Sequence, residues 1–132
     1  MTFREAATHY YTTYDMNCAE AMLHGANDAL SLGLTDNDYK LLGAYGGGCG
    51  SGSLCGAVAA CVSVIGLVNI KDTAHESDAT AKAGRFVREV RSRFGSELCA
   101  SLRREFHTKE ERCLATIQNV AQVLDDRRGE LL

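Results

Sequence analysis

Residues 46–70 read GGGCGSGSLCGAVAACVSVIGLVNI, and two opposite tendencies meet inside that stretch. Gly46 to Gly52 holds five glycines in seven residues. Each glycine costs about 1 kcal/mol in a helix relative to alanine, so this part is a loop that needs unusual backbone angles or a close approach to something. Leu54 to Ile70 is apolar on every side, interrupted only by Ser63 and Asn69 among polar residues. Such a helix belongs at the centre of a bundle. It falls short of the about 20 residues that cross a bilayer, so a buried core helix with Ser53 as its N-cap is expected.

Outward from this junction the chain reads as helices punctuated by glycines. Phe3, Ala6, Ala7 and Tyr10 lie at helical spacing. Asn17 and Glu20 have the shape of a capping box for a second helix carrying Ala19, Met22, Leu23, Ala26 and Leu30, which Gly33 stops. Thr35, Asp36 and Asp38 place acceptors and negative charge at the start of a third, with Tyr39, Leu42 and Tyr45. Beyond the apolar helix, Asp72 and Thr73 open a polar helix that ends near Phe94 with Gly95 as its C′ residue. Ser96 caps another to about Phe106. Thr108 and Glu111 form a capping box for the last, which carries Leu114, Ile117, Val120, Ala121 and Leu124. No strand pattern competes. The expectation is an all-α protein: one domain over residues 1–132, a compact bundle of five to six helices around the apolar helix at about 54–70, with the glycine-rich loop at 46–52.

Composition narrows the function. The 132 residues are 45% hydrophobic and 23% charged, as in an ordinary globular protein. A net charge of −3 gives no reason to expect nucleic acid or an anionic membrane as a partner. Arg85, Arg88, Arg91 and Arg93 interleave with Glu89, which reads as a solvated helix face. There is no proline to forbid long helices. Thr2 to Tyr14 is polar and mixed, unlike a cleavable signal, so the cytoplasm is the expected compartment and membrane insertion is not. Thiols there are reduced, and six cysteines point to metal binding, catalysis or redox sensing rather than to a permanent disulfide frame.

The cysteines are residues 18, 49, 55, 61, 99 and 113. With Ser53 as N-cap, Cys55 occupies the second helical position, where unpaired N–H groups and the helix dipole favour a thiolate. The dipole is worth about 0.3–1 kcal/mol, up to about 2 in partly buried sites, which lowers a pKa by a few tenths to about 1.5. Gly56 leaves room beside the sulfur. Cys18 follows the cap Asn17 and repeats the arrangement. Cys99 precedes, and Cys113 follows, the turn near Phe106 and His107 by similar distances, so an antiparallel helix pair would set them at nearly the same height. Cys61, mid-helix in the apolar run, reads as a core residue. Cys49 lies in the loop, open to solvent and within reach of Cys55 if the loop folds back. No Cys-x-x-Cys pair exists, the loop lacks the Lys-Ser/Thr of a P-loop, and His9, His24, His75 and His107 form no ligand pair. His107 alone lies near a cysteine pair.

At Asn17-Cys18-Ala19-Glu20, the glycine loop, Cys55-Gly56-Ala57, Cys99 and Cys113, the chain resembles the C-GCAxxG-C-C family, whose members are called redox-active on the strength of their cysteines. The resemblance runs from about Tyr14 to Leu124. It implies that Cys18, Cys55, Cys99 and Cys113 are the hallmark set and that Cys49 and Cys61 are additions. One departure stands out: Cys55-Gly56-Ala57-Val58-Ala59-Ala60 carries alanine where the motif ends in glycine. On this footing the leading expectation is thiol–disulfide or electron-transfer chemistry with an unidentified redox partner. Cys55 would attack, Cys18 or Cys49 would resolve, and Cys99 and Cys113 would form a second pair or complete a cluster. One alternative is an Fe–S cluster or soft metal held by Cys18, Cys55, Cys99 and Cys113. The other is a non-catalytic helical oligomerisation or adaptor protein with buried cysteines, for which a homodimer is a plausible form.

Overall fold

The structure, a computed structural model, describes residues 1–132. Its helices are α1 (Phe3–Thr13), α2 (Cys18–Leu30), α3 (Asp36–Gly43), α4 (Gly56–Asn69), α5 (Ala79–Phe94), α6 (Cys99–Phe106), α7 (Leu114–Asp126) and α8 (Arg128–Leu131). There is no sheet. Eight helices form where five to six are expected; seven of them fall on segments read from the sequence, and the one addition is the four-residue α8.

Helix α1 packs on α2 and α7, α2 on α4, and α4 in turn on α5 and α7. The core between them holds Phe3, Met22, Ile65, Phe86, Ile117, Leu124 and Leu131, all sealed from solvent. Local sequence sets several of the ends. Thr2 and Glu5 form a reciprocal capping box at α1, which Asp125 of α7 reinforces by accepting from the N–H groups of Phe3 and Arg4 at 3.1 and 2.9 Å. A carboxylate at a helix N-terminus satisfies orphan donors and opposes the dipole. Gly95 ends α5 at φ 82°, donating its N–H to Arg91 O at 2.8 Å. The basic face of α5 is solvated and partly paired, Arg91 with Glu97 and Arg93 with Glu89 and Asp126.

Four local expectations shift. On α1 the core side chain is Tyr11, the residue one turn beyond Ala7, and Tyr10 stacks instead on His24. Helix α4 begins at Gly56, two residues later than expected, because Leu54 is held in an extended pairing with Leu98. Its far end is also open: Leu67 and Val68 are 52% and 41% exposed, so only its first two-thirds behaves as an enclosed core helix. Helix α5 starts at Ala79, since Ala74–Glu76 forms a separate tight turn that Ser77 breaks off in extended conformation.

No helix is long and apolar enough to cross a membrane.

Candidate functional site

Four helices begin at a cysteine. Cys18 and Cys99 are the first residues of α2 and α6, and Cys55 and Cys113 are the caps of α4 and α7. All four line one cavity of about 160 Å³, together with Tyr11, Asn17, Gly47, Arg103 and Arg112 among others.

Hydrogen bonds from distant parts of the chain bring these ends together. Asn17 Oδ1 accepts from the Glu20 N–H and Glu20 Oε1 from the Asn17 N–H, both at 3.0 Å, so the expected capping box exists. The Asn17 Nδ2 also donates to Gly43 O at 2.8 Å and ties the start of α2 to the end of α3. Cys55 donates its N–H to Glu97 O at 3.0 Å, and Cys99 donates its N–H to Ser53 O at 2.6 Å. These two bonds flank the Leu54–Leu98 pairing as in an antiparallel ladder. Cys55 and Cys99 are therefore diagonal neighbours on one side of it. Cys113 donates its N–H to Tyr11 Oη at 3.2 Å, and Thr108 and Arg112 exchange backbone bonds at 3.2 and 2.7 Å to close the turn before it.

Two glycines allow the close approach. A Cβ on Gly56 would lie 2.7 Å from Cys18 Sγ and 3.0 Å from Tyr45 O. The space beside Cys55 that the sequence leaves for an incoming partner is thus filled by the sulfur of Cys18. A Cβ on Gly48, at φ 64°, would lie 2.5 Å from Cys99 Cβ and 2.6 Å from the Ser53 backbone. The glycine loop is a wall packed on α6 rather than an open tether, closed by Ser53 N–H to Gly48 O at 2.9 Å and Ser51 Oγ–H to Gly48 O at 3.1 Å.

The electrostatics depart from the sequence expectation at Cys55. Burial, with the neighbouring Cys18 adding to it, pushes its thiol up to about 12 against the pull of the Ala57 and Val58 N–H groups. The sulfur makes no full capping hydrogen bond, so the helix end is too weak to offset desolvation. Burial likewise raises Cys18, to about 11, with Cys113 and Cys99 adding to it. Cys113 is also raised by burial, but it faces Arg103 and Arg112, which lower it. It is half-buried, whereas Cys55 and Cys99 are 4% and 8% exposed. His107 Nδ1 lies 3.6 Å from Cys113 Sγ.

The other two cysteines lie elsewhere. Cys49 is exposed in the loop, at φ 61°, and does not line the cavity. Cys61 is wholly enclosed in the core, and burial raises its pKa strongly. His24 is stacked on Tyr39 at 3.6 Å between ring centroids, remote in role from the thiols. No three His, Cys, Asp or Glu side chains are grouped so as to hold a metal ion. Tyr11, Arg103 and Arg112 are the site residues that the sequence reading passed over. Arg103 could have been found, since it is one helical turn beyond Cys99 on the same face.

The family described as "Putative redox-active protein (C_GCAxxG_C_C)" matches residues 16–127. The chain belongs to that family. Neither a curated protein nor a solved structure matches it significantly. The matched span of the C_GCAxxG_C_C family contains all four cavity cysteines, and within it the segment Cys55-Gly56-Ala57 sits where the α4 terminus meets Cys18. Ala60, where the resemblance leads one to expect glycine, is fully buried in α4.

Proposed function

We propose that the protein carries out thiol–disulfide exchange, using the four cavity cysteines as its reactive groups. The observation that carries this reading is that four helix N-termini, drawn from positions 18 to 113, place a sulfur each on one cavity. Cys113 opens the reaction. It is the half-buried thiol that faces two guanidinium groups, and His107 is placed to accept its proton. The thiolate attacks one sulfur of a partner disulfide, forming a mixed disulfide and releasing the other sulfur as a thiol. A second cavity thiol, Cys18 or Cys99, then attacks the mixed disulfide at its Cys113 sulfur. A protein disulfide closes, and the partner leaves as its second thiol, so two protein thiols are oxidised and one disulfide is reduced. Cys55, expected as the attacker, is the poorer nucleophile because burial holds its thiol protonated. The cavity takes its walls from α1, α2, α4, α6 and α7, which supports reading residues 1–132 as one domain. A reducing compartment such as the cytoplasm suits six cysteines that are all thiols.

The test is disulfide mapping by mass spectrometry after brief exposure of reduced protein to a mild disulfide oxidant. Bonds among Cys18, Cys55, Cys99 and Cys113, reversed by dithiothreitol and excluding Cys61, are expected. If no bond forms within that set, the reading is wrong.

The same convergence favours a second reading, a Cys₄ site for a soft metal or Fe–S cluster. The donor chemistry fits, while the side chains would have to close in to reach ligating spacing. Anaerobic purification with elemental analysis separates the two: about one equivalent of metal is expected for a mononuclear site, and none for thiol exchange alone.

A further inference from the structure

The cavity is not lined by thiols alone. Arg103 and Arg112 stand on it, and no acidic residue does. Neither guanidinium belongs to any ion pair in the molecule. Arg112 lies 4.9 Å above the centroid of the Tyr11 ring, and the hydroxyl of that same ring accepts the Cys113 N–H. The stack fixes one positive charge beside the Cys113 backbone, although φ 54° at Arg112 strains the chain to put it there. Two guanidinium groups on a cavity that offers them no carboxylate suit an anion brought by a ligand.

The positions of charge and sulfur decide what kind of anion. Both arginines are exposed, while Cys55 and Cys99 are buried behind them. Positive charge therefore sits at the rim, and the buried floor is sulfur and hydrocarbon with the hydroxyls of Tyr11 and Thr116. A ligand with its charge on the reacting atom, such as a small oxyanion, would carry that charge to the floor. There it would meet the same desolvation that keeps Cys18 and Cys55 protonated. A ligand with a neutral, soft reacting group and a separate carboxylate matches both levels at once.

Resting on the thiol–disulfide reading above, we propose that the cavity takes a small disulfide bearing carboxylates, its S–S bond directed to the cysteines and a carboxylate to Arg103 and Arg112. Exchange then runs as follows. Cys113 thiolate bonds to one sulfur of the substrate, and the other half leaves as a carboxylate-bearing thiol, which takes up the proton lost by Cys113. A second cavity thiol displaces the remaining half in the same way. One substrate disulfide becomes two anionic thiols, and two protein thiols become one disulfide. A guanidinium and a carboxylate suit one another because the planar fork can bind both oxygens.

The test compares three disulfides of similar size and different charge: 3,3′-dithiodipropionate, bis(2-hydroxyethyl) disulfide and cystamine. Each oxidises the fully reduced protein at low salt, and the rate of protein-disulfide closure is divided by the rate for the urea-unfolded chain. That ratio removes the intrinsic reactivity of each reagent. The expected preference is about tenfold for the dianion over the neutral compound, with the dication slower than both. In the double variant Arg103→Gln/Arg112→Gln the preference should fall to within about twofold, whatever happens to absolute rates. Arg103→Lys/Arg112→Lys should keep most of it, and 0.5 M salt should erase most of it in the native protein, since rim charges are screened. Equal normalised rates for all three disulfides, or a preference unmoved by the glutamine pair, would overturn the inference while leaving thiol–disulfide exchange in place. Failure of all three reagents to close a bond among the cavity cysteines would overturn both.

Discussion

Cys55 and Cys61 are six residues apart at the start and in the middle of α4, and they are 4% and 0% exposed. Both thiols are raised by burial. By burial and the direction of their pKa shifts the two are alike, yet one lines a cavity with three other sulfurs and the other is surrounded by core hydrocarbon. The difference is where on the helix each lies. A helix end leaves N–H groups without intrahelical partners and lets the chain turn away, so a second segment can come alongside. At Cys55 that second segment is 97–99, which brings Cys99, and the missing Cβ at Gly56 admits Cys18. Mid-helix, the backbone is already hydrogen-bonded and only side chains can approach. The two buried cysteines thus differ in the meeting of chain ends around them, not in their burial.

The largest expected effect sets the two environments against each other directly. Replacing Cys113 by alanine should slow closure of the protein disulfide by at least about 100-fold, the usual scale for losing a covalent nucleophile. Cys61→Ala should leave that rate within about twofold and cost about 1–2 kcal/mol of stability through the small cavity it leaves. Stopped-flow thiol consumption and urea melts read the two quantities. Comparable slowing in the Cys61 variant would erase the distinction between the two regions.

The two ends of α4 can also be compared through one substitution made twice. Gly56→Ala drives a methyl group into Cys18 Sγ and Tyr45 O, and should destabilise the fold by about 1–3 kcal/mol while shifting Cys18 reactivity. Gly66→Ala meets nothing nearer than Ile70 Cδ1 at 3.7 Å and should stabilise by about 0.5–1 kcal/mol, the ordinary gain of alanine over glycine in a helix. Chemical denaturation of both variants, with iodoacetamide kinetics on the first, settles whether the contact with sulfur is what forbids a side chain.

Alkaline pH should weaken the fold through the feature that Cys55 and Cys61 share. Each has its folded-state pKa raised, Cys55 to about 12, whereas an unfolded cysteine ionises near 8.5. Between those values the unfolded chain loses the proton and the folded chain keeps it. Stability is therefore full below about pH 8 and falls as pH rises, by up to about 1.4 kcal/mol per pH unit for each such thiol. Urea midpoints at pH 8 and pH 10 should show the fall, and Cys61→Ala should make it shallower.

The smallest effect belongs to the cysteine that shares neither environment. Cys49 is exposed at φ 61°, where glycine is at ease and other residues are strained. Cys49→Gly should raise stability by about 0.5–1 kcal/mol and leave exchange kinetics unchanged. A thermal melt and the thiol-consumption assay together check it.

Much of the fold was legible in the chain because its signals are short-ranged. The Asn17–Glu20 box, the Gly95 terminus and the break of regular right-handed helix in residues 46–52, where Gly48–Gly52 forms a π-type turn with Gly47, Gly48, Cys49, Gly50 and Gly52 at positive φ, all depend on bonds or clashes within a few residues. Where a local signal misled, a longer-ranged contact had replaced it. Thr108 Oγ1 does accept the Glu111 N–H at 3.0 Å, as a cap would, but the bond closes a turn, and α7 waits until Cys113. Ser96 Oγ accepts the Leu98 N–H at 3.0 Å, yet α6 starts only at Cys99, where the chain has paired with Ser53. Those two displaced starts are the reason that two cysteines, rather than four, could be placed at helix N-termini from sequence.

The sequence by itself determined that this is a helical protein, that a glycine loop meets an apolar helix near Cys55, and which family it resembles, because capping, propensity and motif spacing are properties of neighbouring residues. Only the tertiary structure decided that Cys18, Cys55, Cys99 and Cys113 share one cavity, that Cys55 is kept as a thiol while Cys113 faces the arginines, and that Tyr11 belongs to the site. The Tyr11 hydroxyl meets the Cys113 amide across 102 positions of the chain. Contacts of that separation exist only once α1 and α7 have packed, and the desolvation that sets the thiols' acidity arises only with that packing.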